Sequence, residues 1–351
     1  MPPSDTKALF NVTTAASWML LLVLCTIILK SLSFLFIPLF FAILICYALG
    51  IPLDFLKRFH LPGPIRIILV IGLVLLLIFM LGKLVMLNVT SFQIQLPEYE
   101  TKFWKYADIM LSRFNITHEQ AKEAFNAFWS KIRQQNQFSL GSLIRSFSDS
   151  FFSFLGNIMW VLIFMAFILA ERELFTRRLV NLLGIKKSEP VLQSLQQIND
   201  SVQQYLGLKS LISLLTGILV TIVLLATGVD FAILWGVLTF ILNFIPTIGS
   251  IVATIPPIAI ALFQFGFTGI TLVIGILLLS IQFLVGNVIE PKFMGRGLNL
   301  SPLVVLFSLI FWGWLWGIPG MLLSVPLTAA IRIAMEQIEA TRTVAMLISS
   351  K

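Results

Sequence analysis

Between residues 243 and 302 the chain reads N-F-I-P-T-I-G-S-I-V-A-T-I-P-P, then an apolar span, then G-N-V-I-E-P-K-F-M-G-R-G-L-N-L-S-P. Prolines and glycines break a sequence that is otherwise as apolar as lipid. Proline removes a backbone donor and glycine weakens a helix, so a plain spanning helix gains nothing from either. In hydrocarbon each freed backbone group must find another partner. Broken backbone therefore survives only inside protein or beside a watery cavity. Broken helices near the bilayer midplane are a common way for transporters to hold a solute. The stretch is expected to be a translocation site in an all-α membrane protein.

Composition names the solvent. Of 351 residues, 58% are hydrophobic and 11% charged, against about 25% charged in a soluble protein. The net charge of +8 sits in loops between apolar runs. That pattern orients a multi-pass protein rather than binding nucleic acid. Cys25 and Cys46 both lie in apolar runs, where packing is the expected role. The first apolar run lacks a small-residue cleavage site and is read as a span, not a signal peptide.

Taken in order, apolar centres at 18–29, 32–49 and 67–87 predict three spans, with Pro38 as a kink. The segment 88–150 is polar and helical, with Phe103, Ala107, Met110, Leu111 and Phe114 on one face. Thr117-His118-Glu119-Gln120 resembles a capping box opening a second helix there. A small extracytoplasmic helical cap is expected. A fourth span covers 152–170 and is followed by Arg172, Arg177 and Arg178. Leu192, Leu195, Ile198, Val202 and Tyr205 form the apolar stripe of a cytoplasmic amphipathic helix. Further spans cover 211–226 and 270–288. The expected organisation is thus scaffold helices over 1–87, the cap over 88–150, and a fourth span with its surface helix over 151–209. A transport core over 210–337 and a cytoplasmic tail over 338–351 complete it.

Two long apolar stretches, 231–263 and 302–332, are broken at Pro246 and Gly249, and at Gly317-Ile318-Pro319-Gly320. In each, a further proline follows seven residues on, Pro256 after Gly249 and Pro326 after Pro319. Two re-entrant hairpins from opposite faces, beside about six full spans, fit this pattern. With the amino terminus in the cytoplasm, that topology puts 88–150 outside and Glu290–Arg296 inside, as Lys292 and Arg296 require.

These residues resemble the autoinducer-2 exporter family of membrane transporters. The likeness rests on N-F-I-P-T-I-G at 243–249, P-P-I-A-I-A at 256–261, G-N-V-I-E-P-K-F-M-G at 286–295, L-S-P at 300–302 and G-I-P-G-M-L-L-S-V-P-L at 317–327. It implies a homo-oligomeric exporter, a pentamer by resemblance, in the bacterial cytoplasmic (inner) membrane. It further implies a transport part that moves against a scaffold. Many members carry an aromatic where this chain has Thr247, and histidine where it has Ser301.

Candidate solute contacts are Asn243, Pro246, Thr247 and Gly249, then Gln282, Asn287, Pro319 and Gly320. Freed backbone at Pro246 and Gly249 suits a small polyhydroxylated solute; alternatively Asn243 bonds a freed carbonyl at a structural kink. In the loop Glu290, Pro291, Lys292, Arg296, the acid either fixes the loop by pairing with the adjacent cations or couples protons. The local ion pair is the favoured reading. Trp312, Trp314 and Trp316 anchor the second hairpin at an interface or fill a subunit contact. No H-E-x-x-H, nucleophile elbow or phosphate loop is present, so an enzyme or nucleotide-driven pump is not expected. No cofactor or metal is expected. A secondary exporter leads, with a sodium(potassium)/proton antiporter or a non-transporting membrane scaffold as alternatives.

Overall fold

The computed structural model describes residues 4–49, 59–60, 62–111, 119, 123, 127, 140–294, 300–336 and 339–349. Apart from a single antiparallel bridge between Leu300 and Ser349, the regular structure among them is helical. Helices α1 (Ser4–Ser31), α2 (Ser33–Ala48) and α3 (Gly63–Leu111) come first. Then α4 (Leu140–Leu183) and α5 (Ile185–Ala226) precede the broken stretches. Helices α6 (Ala232–Leu242) and α7 (Ile248–Phe265) form the first hairpin, and α8 (Gly269–Leu284) follows. A π-turn, Val285–Ile289, runs into the short α9 (Glu290–Met294). Helices α10 (Pro302–Trp316) and α11 (Ile318–Glu336) form the second hairpin, and α12 (Glu339–Ile348) ends the chain.

Five of these helical segments are long and apolar enough to cross a membrane, at 65–92, 188–226, 248–265, 269–293 and 318–336. The bent pair α1–α2 makes a sixth if it is one span. Side chains such as Leu77, Phe79, Leu272 and Leu279 are exposed on their outer faces, where lipid is the natural solvent.

Three expectations change. The bend near the amino terminus lies at Leu32, where α1 and α2 meet at 87°, while Pro38 sits buried inside α2. The separate surface helix does not exist: its stripe is the first half of α5, a helix of 42 residues that runs on through the expected span at 211–226. The boundary expected at 87/88 falls within α3, a continuous helix of 49 residues. In the latter two cases the helix runs on through residues that often end one, Pro97 in α3 and Gly207 and Gly217 in α5. Pro190 lies inside α5, in its second turn, and the helix continues past the missing donor. The start expected at Thr117–Gln120, like Phe114, lies largely outside the described residues.

The chain packs as two units, each built from separated stretches. One comprises residues 1–47, 160–202 and 299–351; the other 48–159 and 203–298. In the first, the α10–α11 hairpin buries Trp312, Leu315, Trp316, Leu323 and Leu327 against Leu29, Phe36, Phe40 and Leu44 of α1 and α2. The Trp316 indole donates to the Leu29 carbonyl at 2.9 Å, and the Trp312 indole to Thr328 Oγ1 at 3.2 Å. Trp314 faces outward with the Lys30 ammonium 4.2 Å from its ring centre. Two of the three tryptophans therefore anchor the hairpin within its own unit. Cys25 is exposed, and Cys46 is buried with its thiol 3.9 Å from the Met165 carbonyl oxygen.

The core of the second unit joins Val220 and Leu224 of α5, Ala232 of α6, Ile260 and Ala261 of α7, and Ile274 and Leu278 of α8. Its far end is tied to the polar extension of α3. The Tyr99 hydroxyl donates to Asp230 Oδ2 at 2.7 Å, and the Gln95 side chain lies 2.7 Å from the same hydroxyl. Gln264 accepts from the Asp230 amide and donates to the Gly228 carbonyl, both at 3.1 Å. Burial first, and then the bond to Asp230, raise the Tyr99 phenol well above its ordinary value. This tether therefore holds below about pH 10 and is lost as pH rises through the folded-state value. Tyr99→Phe is expected to cost about 1–2 kcal/mol. The difference in melting temperature from the wild type should shrink above that pH.

Candidate functional site

The second unit buries a row of polar side chains on one face of α5. Tyr205, Lys209, Ser213 and Thr216 are spaced by four, four and three residues and are all buried. This spacing puts them on one stripe of an otherwise apolar helix. The Thr216 hydroxyl satisfies itself on the Ile212 carbonyl at 2.7 Å. Ser213 and Lys209 find partners on the elements packed against α5.

Ser213 meets the break of the first hairpin. Asn243, the carboxy-terminal cap of α6, donates from Nδ2 to Ser213 Oγ at 3.1 Å. Asn243 thus bonds a neighbouring helix, not a carbonyl freed by the break. One turn earlier on α6, the Thr239 hydroxyl is fully buried and has no hydrogen-bond partner among the described residues. Such a group carries a desolvation cost of about 1–3 kcal/mol unless something binds it. The α5–α6 crossing beside it is tight. A Cβ on Gly236 would lie 1.8 Å from Thr221 Oγ1, and one on Gly217 2.7 Å from the Gly236 carbonyl.

Between α6 and α7, Pro246 sits half-buried in the turn, and exposed Thr247 has φ of 60°. A β-branched residue there is strained backbone, the kind held in place by surrounding packing. Gly249, in the first turn of α7, is pressed on the last turn of α6: a Cβ would stand 1.8 Å from the Leu242 carbonyl oxygen. The second hairpin repeats the device. A Cβ on Gly320 would stand 1.9 Å from the Trp312 carbonyl oxygen, with Pro319 half-buried beside it. In both hairpins the first arm, 11 or 15 residues, is shorter than the second, 18 or 19.

Lys209 meets the start of α9. Its ammonium pairs with Glu290 Oε1. The pairing expected with Lys292 is replaced by one with a lysine 81 residues away. Lys292 and Pro291 are exposed, and Arg296 lies outside the described residues. The reason is local. The π-turn inserts a residue into the helix and shifts its facing. It leaves Asn287 exposed, donating to the Phe283 carbonyl of its own helix at 3.1 Å, and turns Glu290 toward α5. Gln282 is half-buried one turn before.

The structure therefore brings Asn243 and Glu290 to one face of α5 and sets Asn287 apart from it. Pro319 and Gly320 belong to the other unit. Lys209, Ser213 and Thr239 were not singled out from sequence. Lys209 carried a usable signal, as a lysine four residues after Tyr205 where an apolar span begins. Among the described residues, no group of His, Cys, Asp and Glu is arranged to hold a metal ion.

Apolar helices on a membrane-spanning scale, two glycine-seated hairpins and a buried polar row define a multi-pass membrane protein built for transport. The chain belongs to the AI-2E family of transporters, whose sequence profile matches residues 17–340. It is 37% identical over 286 residues to a protein of Haemophilus influenzae designated a transport protein, covering 78% of each. It is 52% identical over 157 residues to the AI-2 transport protein TqsA of Escherichia coli, covering 44% of this chain and 45% of TqsA. A Borreliella burgdorferi protein, also designated a transport protein, is 31% identical over 306 residues, 86% of this chain and 81% of its own.

Proposed function

We propose that this protein is a secondary exporter of a small polar solute, autoinducer-2 or a chemically similar one, acting as a homo-oligomer in the bacterial cytoplasmic membrane. A pentamer is the expected assembly. The observation that carries this reading is the polar face of α5 meeting the break at Asn243. Ser213, Asn243 and the unpartnered Thr239 hydroxyl form a small hydrogen-bonding surface inside an apolar bundle. A polyhydroxylated solute needs such a surface when it leaves water. The hairpin break supplies a hinge, with strain at Thr247 to favour movement. The partial likeness to TqsA supports the solute class.

The test is counterflow of labelled autoinducer-2 in proteoliposomes. Accelerated exchange that falls in Asn243→Ala and Ser213→Ala is the expected result. No exchange, combined with a sodium- or potassium-dependent pH change in everted vesicles, would establish an antiporter instead. The same reading places the α9 end of the Glu290 segment in the cytoplasm. In a background lacking Cys25 and Cys46, Met294→Cys is expected to resist an impermeant thiol reagent applied from outside. Labelling from outside would overturn the proposed orientation of the hairpins.

A further inference from the structure

We propose that the second unit holds a phospholipid with a primary-amine headgroup, the phosphatidylethanolamine class, at the membrane boundary. A cavity of about 700 Å3 lies between α3, the end of α5 and the turn into α6. Two chain markers set its depth. The apolar span of α3 ends at Phe92 and that of α5 at Ala226, and the cavity is lined by Asn88, one turn before the first end, and by Leu225 beside the second. This is headgroup depth, where spans pass into polar sequence.

The chemistry of the walls is that of a lipid in two parts. Leu84, Leu87, Leu225 and Ile233 line the body, and the last three are more than half exposed. Apolar surface in that position needs an acyl chain to cover it, which a water-soluble solute lacks. Lys83 and Asp230 bring opposite charges to the same cavity. Lys83 is exposed and makes no ion pair among the described residues. Asp230 gives one carboxylate oxygen to Tyr99, leaving the other without a hydrogen bond among the described residues. A headgroup carrying both a phosphate and a primary ammonium matches this pair in sign, phosphate to Lys83 and ammonium to Asp230. A quaternary choline has no N–H to donate, and a glycerol headgroup has no cation for Asp230. The headgroup preference follows from these two residues, and the acyl contact from the leucines and isoleucine.

The experiment uses the full-length protein in nanodiscs of phosphatidylethanolamine, phosphatidylcholine and phosphatidylglycerol in equal parts, with retained lipids read by native mass spectrometry after gentle release. Retention of phosphatidylethanolamine above the other two is expected. A drop of about fivefold is expected in Lys83→Ala, the size of one charge at a membrane surface. Asp230→Asn also loosens the Tyr99 tether. The second arm is therefore Ile233→Trp, which fills the cavity without touching either charge and should lower retention of every headgroup there. Equal retention of all three lipids, a preference for phosphatidylglycerol, or unchanged retention in both Lys83→Ala and Ile233→Trp would overturn the proposal. So would displacement of the bound lipid by a water-soluble polyol, which would make the cavity a solute vestibule.

Discussion

Gly249→Leu and Gly320→Leu are each expected to reduce solute flux to background while the proposed homo-oligomer still assembles. Each glycine sits where a helix has just restarted, against a carbonyl of the helix it has left. A Cβ at Gly249 meets the Leu242 oxygen at 1.8 Å, and one at Gly320 meets the Trp312 oxygen at 1.9 Å. These obstacles are backbone atoms, so a side-chain rotation cannot relieve them. Neither glycine has positive φ, so the requirement is space and not backbone conformation. A leucine must push the two arms of its hairpin apart, at about 1–3 kcal/mol for overpacking. That cost spreads the hairpin without unfolding the bundle. At position 249 it also moves Asn243, and with it the bond to Ser213. Pro246→Ala should be milder, since it restores a backbone donor in a turn without adding bulk. Flux is to be compared at equal amounts of protein from the monodisperse fraction on size exclusion. Wild-type flux from assembled Gly249→Leu protein would remove this hairpin from the pathway.

The second large effect concerns Lys209 and Glu290. Breaking a buried pair by removing one partner leaves an uncompensated charge, at about 3–5 kcal/mol. Lys209, on the polar stripe of α5, is far more deeply buried than Glu290, so it suffers most when its partner goes. Glu290→Gln is expected to lower the yield of folded protein and to leave the pH dependence of transport unchanged. Removing both charges, in Lys209→Met/Glu290→Met, should recover most of the yield, because well-packed apolar replacements of buried pairs are often neutral. Yield is read from the monodisperse fraction on size exclusion. Should Glu290→Gln fold normally and flatten the pH profile, the acid couples protons and the structural role is wrong.

The reach of sequence reasoning differs between the two hairpins and the ion pair. Proline and glycine are local signals, and the breaks at 243–247 and 317 fall where they predict. The seven-residue spacing to a following proline pointed to a shared architecture, and the shared device proves to be the glycine seated on a carbonyl. Helix ends were harder to read. Asn199-Asp200, Gly207 and Gly217 lie between residues 190 and 226, yet α5 runs through them. At Leu32 the chain bends without any proline at the bend.

Solvent, helical class and the two breaks were determined by the sequence alone, because each depends on residues near one another in the chain. An apolar run needs lipid wherever it sits, and a proline removes its donor whatever surrounds it. Which charges meet was decided only by the tertiary structure. Glu290 has two cations within six residues, yet the π-turn faces it toward Lys209 across the unit. Electrostatic pairing in low dielectric follows distance in space and the direction a helix face points, and one inserted residue is enough to change both.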